Sequence, residues 1–270
     1  MKIKLTVIKA LLALTILVLL GASPDGSSAS PATTDMSPTF IYLPICLNNA
    51  CPGPMYADDF SYPGSGWPVA DSGKVLTEYS GGKYHILVRQ TQWATGAGPG
   101  FQASDYSVSV RVKNTSGNFG TYGLAFGISK NWKSLYTLEI NPNGSYGIYR
   151  YDPGKVVTLI EASSDWIETG TTPNQIKIER NGASISAYAN GEFLTQLTDD
   201  TYMGSLDLGL IAISYDQPDV DILFDNFTVF RLNCETASPA LESQGGLISQ
   251  PEKSSLLPNI LEGGSIPLHK

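Results

Sequence analysis

From residue 74 to residue 230 apolar and polar side chains alternate with a period of two, broken every eight to twelve positions by Gly, Asn, Asp or Pro. That period belongs to β-strands with one buried face, and almost no window shows the 3.6-residue period of a helix. Strands are predicted at 74–79, 83–89, 106–113, 121–128, 134–140, 145–151, 155–161, 174–180, 184–189, 193–198, 206–215 and 219–230. In 106–113, Tyr106, Val108, Val110 and Val112 face one way, and Ser107, Ser109, Arg111 and Lys113 the other. In 122–128, Tyr122, Leu124, Phe126 and Ile128 alternate with Gly123, Ala125 and Gly127.

The clearest stretch is Ile176 to Leu194, where Asn181-Gly182 and Asn190-Gly191 supply the positive-φ pairs that tight hairpins need. A two-residue turn at Asn181-Gly182 would set Ile178 opposite Ile185 and Ile176 opposite Ala187. At Asn190-Gly191 a three-residue loop is expected, because it sets Ala189 opposite Phe193 and Ile185 opposite Leu197 with a bulge at the turn. A dozen antiparallel strands within roughly 175 residues predict an all-β, two-sheet antiparallel sandwich, with a closed barrel as the alternative. No blade-length repeat suggests a propeller.

The flanks differ from this core. Lys2, Lys4 and Lys9 precede an uncharged apolar run, Ala10 to Leu20, followed by small residues. That run has the length of a secretory h-region and is short for a bilayer span, so residues 1–23 are expected to be a signal peptide, with an uncleaved anchor as the alternative. Residues 24–55 form a Ser/Pro/Ala/Thr-rich spacer with one short apolar segment, Phe40 to Ile45. The globular domain is expected over 56–231, and residues 232–270 form a Ser/Gly/Pro-rich tail expected to be disordered. Secretion or display at the cell surface follows.

Export makes the three cysteines disulfide candidates. Cys51 and Cys234 bracket the β region, and a bridge between them would contribute about 4–5 kcal/mol in the chain-entropy model. A local Cys46–Cys51 bridge is the rival. A net charge of −8 and the lack of a Lys/Arg run argue against nucleic acid and anionic membrane surfaces as partners. The oligomeric state is not legible.

Several segments together resemble a known superfamily. They are Asp58-Asp-Phe60 with Ser65-Gly-Trp67, Tyr122-Gly-Leu-Ala-Phe126, Asn143-Gly-Ser-Tyr-Gly-Ile-Tyr-Arg-Tyr151, Ile176 to Gly182, Tyr188-Ala-Asn-Gly191 and Phe224-Asp-Asn-Phe-Thr-Val229. The resemblance, over about 56–231, is to bacterial secreted domains of the concanavalin A-like lectin/glucanase superfamily. It is nearest to the laminin G-like jelly roll and the related 3-keto-disaccharide hydrolase-like family. It implies a jelly-roll sandwich with one concave sheet that often holds glycan in relatives. Glycosidases of this kind carry Glu-x-Asp-x-x-Glu on one strand, so that alternation aims the carboxylates into the cleft. No such run exists here. Glu139 stands between Leu138 and Ile140, and Glu161, at the end of the predicted strand 155–161, is followed by Ala-Ser-Ser-Asp165 in an expected loop.

A Ser-His-Asp or Cys-His site needs a histidine, and the chain has only His85, read as structural, and His269 in the tail. Zinc lacks ligands. No cofactor is expected. Calcium is the one candidate metal, through Asp58, Asp59 and Asp225 if the first and last strands are neighbours. Sugar recognition needs aromatic platforms beside planar polar groups. The candidates are Trp93, Trp132, Tyr149, Tyr151, Glu139 and Arg150. A two- or four-residue loop at Asn143-Gly144 would put Glu139 and Arg150 on one face. The reading that results is an exported, non-catalytic, glycan-binding recognition module. A saccharide hydrolase and a structural or protein-binding surface domain are the alternatives.

Overall fold

The computed structural model describes residues 53–129 and 131–232. The strands, in chain order, begin with β1 (Tyr56–Asp58), β2 (Ala70–Asp71), β3 (Val75–Ser80), β4 (Lys83–Val88), β5 (Trp93–Ala97) and β6 (Gln102–Ala103). There follow β7 (Tyr106–Asn114), β8 (Thr121–Ile128), β9 (Leu135–Ile140), β10 (Ser145–Asp152) and β11 (Lys155–Ser163). The last are β12 (Asn174–Asn181), β13 (Ser184–Ala189), β14 (Glu192–Thr198), β15 (Leu206–Ser214) and β16 (Val220–Arg231). Among the described residues there is no helix. Each strand predicted from the alternation lies within two residues of an observed one. The four others are too short or too irregular to alternate: β5 reads Trp-Ala-Thr-Gly-Ala.

Two antiparallel sheets result. One runs β14-β13-β12-β7-β16-β4-β3-β2, with β1 also on β16; the other runs β11-β10-β9-β8-β15-β5, with β6 also on β15. Their inward faces share one hydrophobic core. The nine-stranded sheet contributes Tyr84, Ile86, Val108, Val110, Ile176, Ile178 and Phe224; the seven-stranded sheet contributes Tyr122, Leu124, Phe126, Leu138, Ile148 and Leu210. At roughly 1.5–3 kcal/mol for each fully buried large apolar side chain, this core is the main stabilising term. The architecture is the expected two-sheet jelly-roll sandwich.

Local registers refine the expectations. Asn181 pairs with Ser184, so the β12–β13 turn is Gly182-Ala183, one residue later than expected. Gly182 has φ +54° and Ala183 has none of the positive φ of a type I′ turn, which is the II′ pattern with glycine first. The shift sets Ile178 opposite Ala187 and Ile176 opposite Ala189, and brings Arg180 opposite Ile185. At the next hairpin Ala189 pairs with Glu192 across Asn190 (φ +53°) and Gly191 (φ +90°), a two-residue turn rather than a three-residue loop. The extra residue lies farther along, where the register slips between Ala187 and Tyr188, and the expected Ile185–Leu197 pair is kept. In β8, Gly127 at φ +60° resets the alternation, so Ile128 joins the outward cluster instead of the core.

Cys46, Cys51 and Cys234, the signal segment, the spacer with its Phe40–Ile45 patch and the tail beyond 232 lie outside the described residues.

Candidate functional site

The seven-stranded sheet has a second apolar cluster on its outward face. Ala94, Ala125, Ile128, Trp132, Leu135, Tyr149, Tyr151, Ile211 and Ile213 form it. Hence every residue of β8 and β9 is buried, on both faces. Within this face one cross-strand row runs Ile211, Gly123, Glu139, Gly147, Glu161, read from the pairings of β15 with β8, β8 with β9, β9 with β10 and β10 with β11. Glu139 therefore stands between two glycines. A Cβ on Gly147 would lie 2.4 Å from the Tyr149 hydroxyl oxygen, so the Tyr149 ring lies over that bare stretch of backbone between the two carboxyl groups.

Glu139 is 2 % exposed. Its Oε1 accepts hydrogen bonds from Thr137 Oγ1 (2.7 Å) and Tyr151 Oη (2.8 Å), and its Oε2 faces Tyr215 Oη at 3.5 Å. No cation lies within ion-pair distance of it among the described residues. Burial raises its pKa to about 7, against the opposing pull of the three hydroxyls, with the Glu161 charge adding to the rise. Tyr149 Oη donates to Glu161 Oε1 at 2.8 Å. Burial, then the nearby carboxyls, push the Tyr149, Tyr151 and Tyr215 phenols up, so they remain hydrogen-bond donors at any physiological pH.

Four of the sugar-binding candidates, Glu139, Tyr149, Tyr151 and Trp132, belong to this outward face. Trp132 lies in the loop before β9 at φ +55°, and its indole covers Gly209. Its buried N–H, like that of Trp93, has no hydrogen-bond partner among the described residues. Trp93 begins β5 and packs into the inter-sheet core with Lys74 Nζ 4.4 Å from its ring centre. Arg150 is also elsewhere. Ile140 pairs with Tyr146, so five residues, 141–145, separate the paired positions, and an odd count reverses the parity that an even one would have given. Arg150 consequently pairs with Tyr136 and points to the side away from Glu139. There it binds Asp152 (3.0 Å) and Asp199 (2.6 Å).

The calcium candidates do not assemble. Asp58 Oδ1 caps the Phe60 amide at 2.7 Å, Asp59 Oδ1 caps the Ser61 amide at 2.9 Å, and Asp225 pairs with Lys83 at 2.5 Å. β1 does neighbour β16, but Asp58 pairs with Phe227, across the irregularity from Asp225. Among the described residues no group of three His, Cys, Asp or Glu side chains is placed to hold a metal. His85 bridges Glu78 (3.1 Å) and Asp221 (3.0 Å) on the outward face of the nine-stranded sheet.

Two members of the site escaped the sequence reading. Glu161 lies in β11, which runs two residues beyond the predicted strand, and it was not read as a partner of Glu139. Tyr215 follows Ile211 and Ile213 at the same parity, a signal that was present in the alternation.

Neither a protein-family model nor a curated protein sequence matches the chain. Solved structures do. A protein of unknown function with a galectin-like fold from Bacillus subtilis superposes with TM-score 0.50 and 10% identity, over 67% of this chain and 97% of its own. A mutant of the GH43 protein BlXynB from Bacillus licheniformis superposes with TM-score 0.50 and 14% identity, over 65% of this chain and 39% of its own. The carbohydrate binding module CBM66 from Bacillus subtilis does so with TM-score 0.43 and 17% identity, over 61% of this chain and 95% of its own. At these identities the likeness concerns the fold alone. The chain has the concanavalin A-like jelly-roll fold, and what it does must be argued from its own residues.

Proposed function

We propose that the protein is an exported, non-catalytic recognition module that binds glycan at the outward face of its seven-stranded sheet. The observation that carries this reading is the environment of Glu139. Its carboxyl is satisfied by hydroxyl groups alone, from Thr137, Tyr151 and Tyr215, inside an aromatic cluster. Sugar hydroxyls can replace tyrosine hydroxyls one for one on such a group, while the rings take the C–H faces of a pyranose. Glu161, the exposed carboxylate of the same row, supplies an acceptor at the rim. Acid–base catalysis has less support, because Glu139 is buried with its oxygens engaged, and Arg150, His85 and Asp225 do not converge on it. The location rests on the expected signal peptide, residues 1–23.

Polysaccharide pull-down and calorimetry on the full chain, with and without calcium, test this reading. Tyr149→Ala and Glu139→Gln are expected to weaken binding at least tenfold. Absence of binding across neutral and acidic glycans defeats it.

A saccharide hydrolase is the second reading. It is favoured by one observation: two carboxyl groups on one face across Gly147, one with its pKa at about 7. A carboxyl raised in this way can serve as the proton donor of such a pair. Glu139→Gln separates the two readings. A hydrolase would lose turnover by about a thousandfold and keep affinity; a recognition module loses affinity and has no turnover to lose.

A further inference from the structure

β12 carries a feature unrelated to the Glu139 face. Its inward positions read Asn174, Ile176, Ile178, Arg180, so an arginine occupies a core position and is 3 % exposed. Its partners are all neutral. Nε donates to Gly182 O at 2.6 Å, and Nη2 to Asp199 O at 3.1 Å and Tyr202 O at 3.0 Å, with Met203 Sδ at 3.3 Å. The guanidinium carbon sits 5.0 Å from the centre of the Tyr136 ring. Nη1 makes no hydrogen bond, and no carboxylate pairs with the cation among the described residues. Asp199, whose backbone carbonyl accepts from Nη2, turns both side-chain oxygens elsewhere, to Tyr136 and Arg150.

A buried cation with no counter-ion is costly, and carbonyl dipoles and a ring face offset only part of that cost. What remains open leads to a cavity of about 240 Å³. Arg180 and Tyr106 both line it, with Ser104, Asp105 and Met203 at its walls. Tyr106 is 2 % exposed, and its hydroxyl likewise makes no hydrogen bond with a described residue. Two largely enclosed side chains, one of them charged, thus line one small cavity between the β12–β13 turn and the 199–204 loop. Asp105 is exposed and already accepts the Gly182 amide at 2.7 Å, so it caps the turn rather than neutralising Arg180.

We propose that this cavity binds a carboxylate group, held by Arg180 Nη1 and the Tyr106 hydroxyl. Two sources share that chemistry: a uronic acid residue of a glycan and a small free organic acid. A planar carboxylate suits an arginine better than a lysine-type point charge would, because the guanidinium presents fixed N–H directions. The volume suits a single sugar-sized group and not an oligosaccharide. The site stands independently of the glycan reading for the Glu139 face, since it draws on different residues at one end of the sandwich.

The test is a ¹⁵N-detected titration of the full chain with galacturonate, acetate and galactose, following the Gly182 and Gly204 amides and the arginine Nε signals. Galacturonate is expected to shift them saturably and galactose not at all. Acetate matching galacturonate assigns the site to free acids, and acetate at least tenfold weaker assigns it to uronic acids. Arg180→Gln should weaken binding at least tenfold, and Asp105→Asn should strengthen it severalfold by removing a like charge from the mouth. Ser104→Trp, which fills the cavity and leaves the arginine in place, should abolish binding with an unchanged thermal midpoint, and it decides the matter if Arg180→Gln fails to fold. Equal shifts with galactose, no shift with either acid, or undiminished binding by Ser104→Trp overturns the proposal. Glu139→Gln should leave these shifts unchanged, which separates this site from the other.

Discussion

The two outward faces of the sandwich obey opposite rules. On the nine-stranded sheet, the side away from the core carries Lys83 with Asp225, His85 with Glu78 and Asp221, and Lys177 with Glu179. These pairs are partly solvated and follow the usual pattern of an antiparallel sheet with one wet face. On the seven-stranded sheet the corresponding side carries Ile211, Ile213, Ala125, Tyr149 and Tyr151, all buried, and its central acid has no counter-ion among the described residues. A charged group on the first face finds a partner and water. On the second, burial favours the neutral form, which is why the Glu139 pKa stands at about 7 in spite of its ring of hydroxyls. The wet face solubilises, and the dry one concentrates chemistry.

Apolar truncation should separate the faces most widely. Ile213→Ala, on the dry side, is expected to lower unfolding free energy by about 2–4 kcal/mol in urea. Leu223→Ala, half-exposed on the wet side, should cost less than about 1 kcal/mol. Equal losses would erase the distinction.

A somewhat smaller effect is expected with pH. Glu139 holds its proton up to about 7 in the folded protein, against an ordinary value of 4.5. The folded state therefore binds the proton more tightly than the unfolded one. The associated stability is complete below about pH 4.5 and is lost as pH rises through 7, amounting to roughly 2–3 kcal/mol between pH 5 and 8. Glu139→Gln should flatten that slope in pH-dependent denaturation. A slope unchanged in the variant would mean that another group is responsible.

The acid side offers a counterpart. Burial alone would raise the Asp199 pKa, but hydrogen bonds from Tyr136, Thr201 and Arg150 outweigh it and hold it at about 2. Its stabilisation is present above the ordinary aspartate value and disappears as pH falls through 2. Asp199→Asn should remove that acid-limb dependence and leave the neutral limb intact. Least of all should follow from Lys83→Met, because an isolated, half-solvated pair contributes below about 1 kcal/mol, and 1 M NaCl should reduce even that.

Most of the strand positions were legible because alternation reports burial on one face. It fails where both faces are buried. Thr137-Leu-Glu-Ile140 reads as an ordinary half-exposed strand, and nothing in it reveals that Glu139 is as enclosed as Leu138. Loop parity was the other blind point. Asn143-Gly144 marks the turn, but five residues, 141–145, separate the paired Ile140 and Tyr146, and that odd count puts Arg150 on the opposite side from Glu139. Conversely, Arg180 continues the inward parity of Ile176 and Ile178. Its inward position was implied by the period, but a charged side chain there reads from sequence as the strand's solvated end.

Near its end the chain delivers β16, which is threaded between β7 and β4 and also pairs with β1, the earliest described strand. During synthesis, which proceeds from the N-terminus, the nine-stranded sheet lacks its middle until Val220–Arg231 emerges. Two half-sheets with open edges must wait in the meantime, a situation that slows folding and invites pairing between chains. A ribosome stalled before residue 220 would leave a sticky fragment, whereas one that finishes releases a domain whose first and last strands lie side by side.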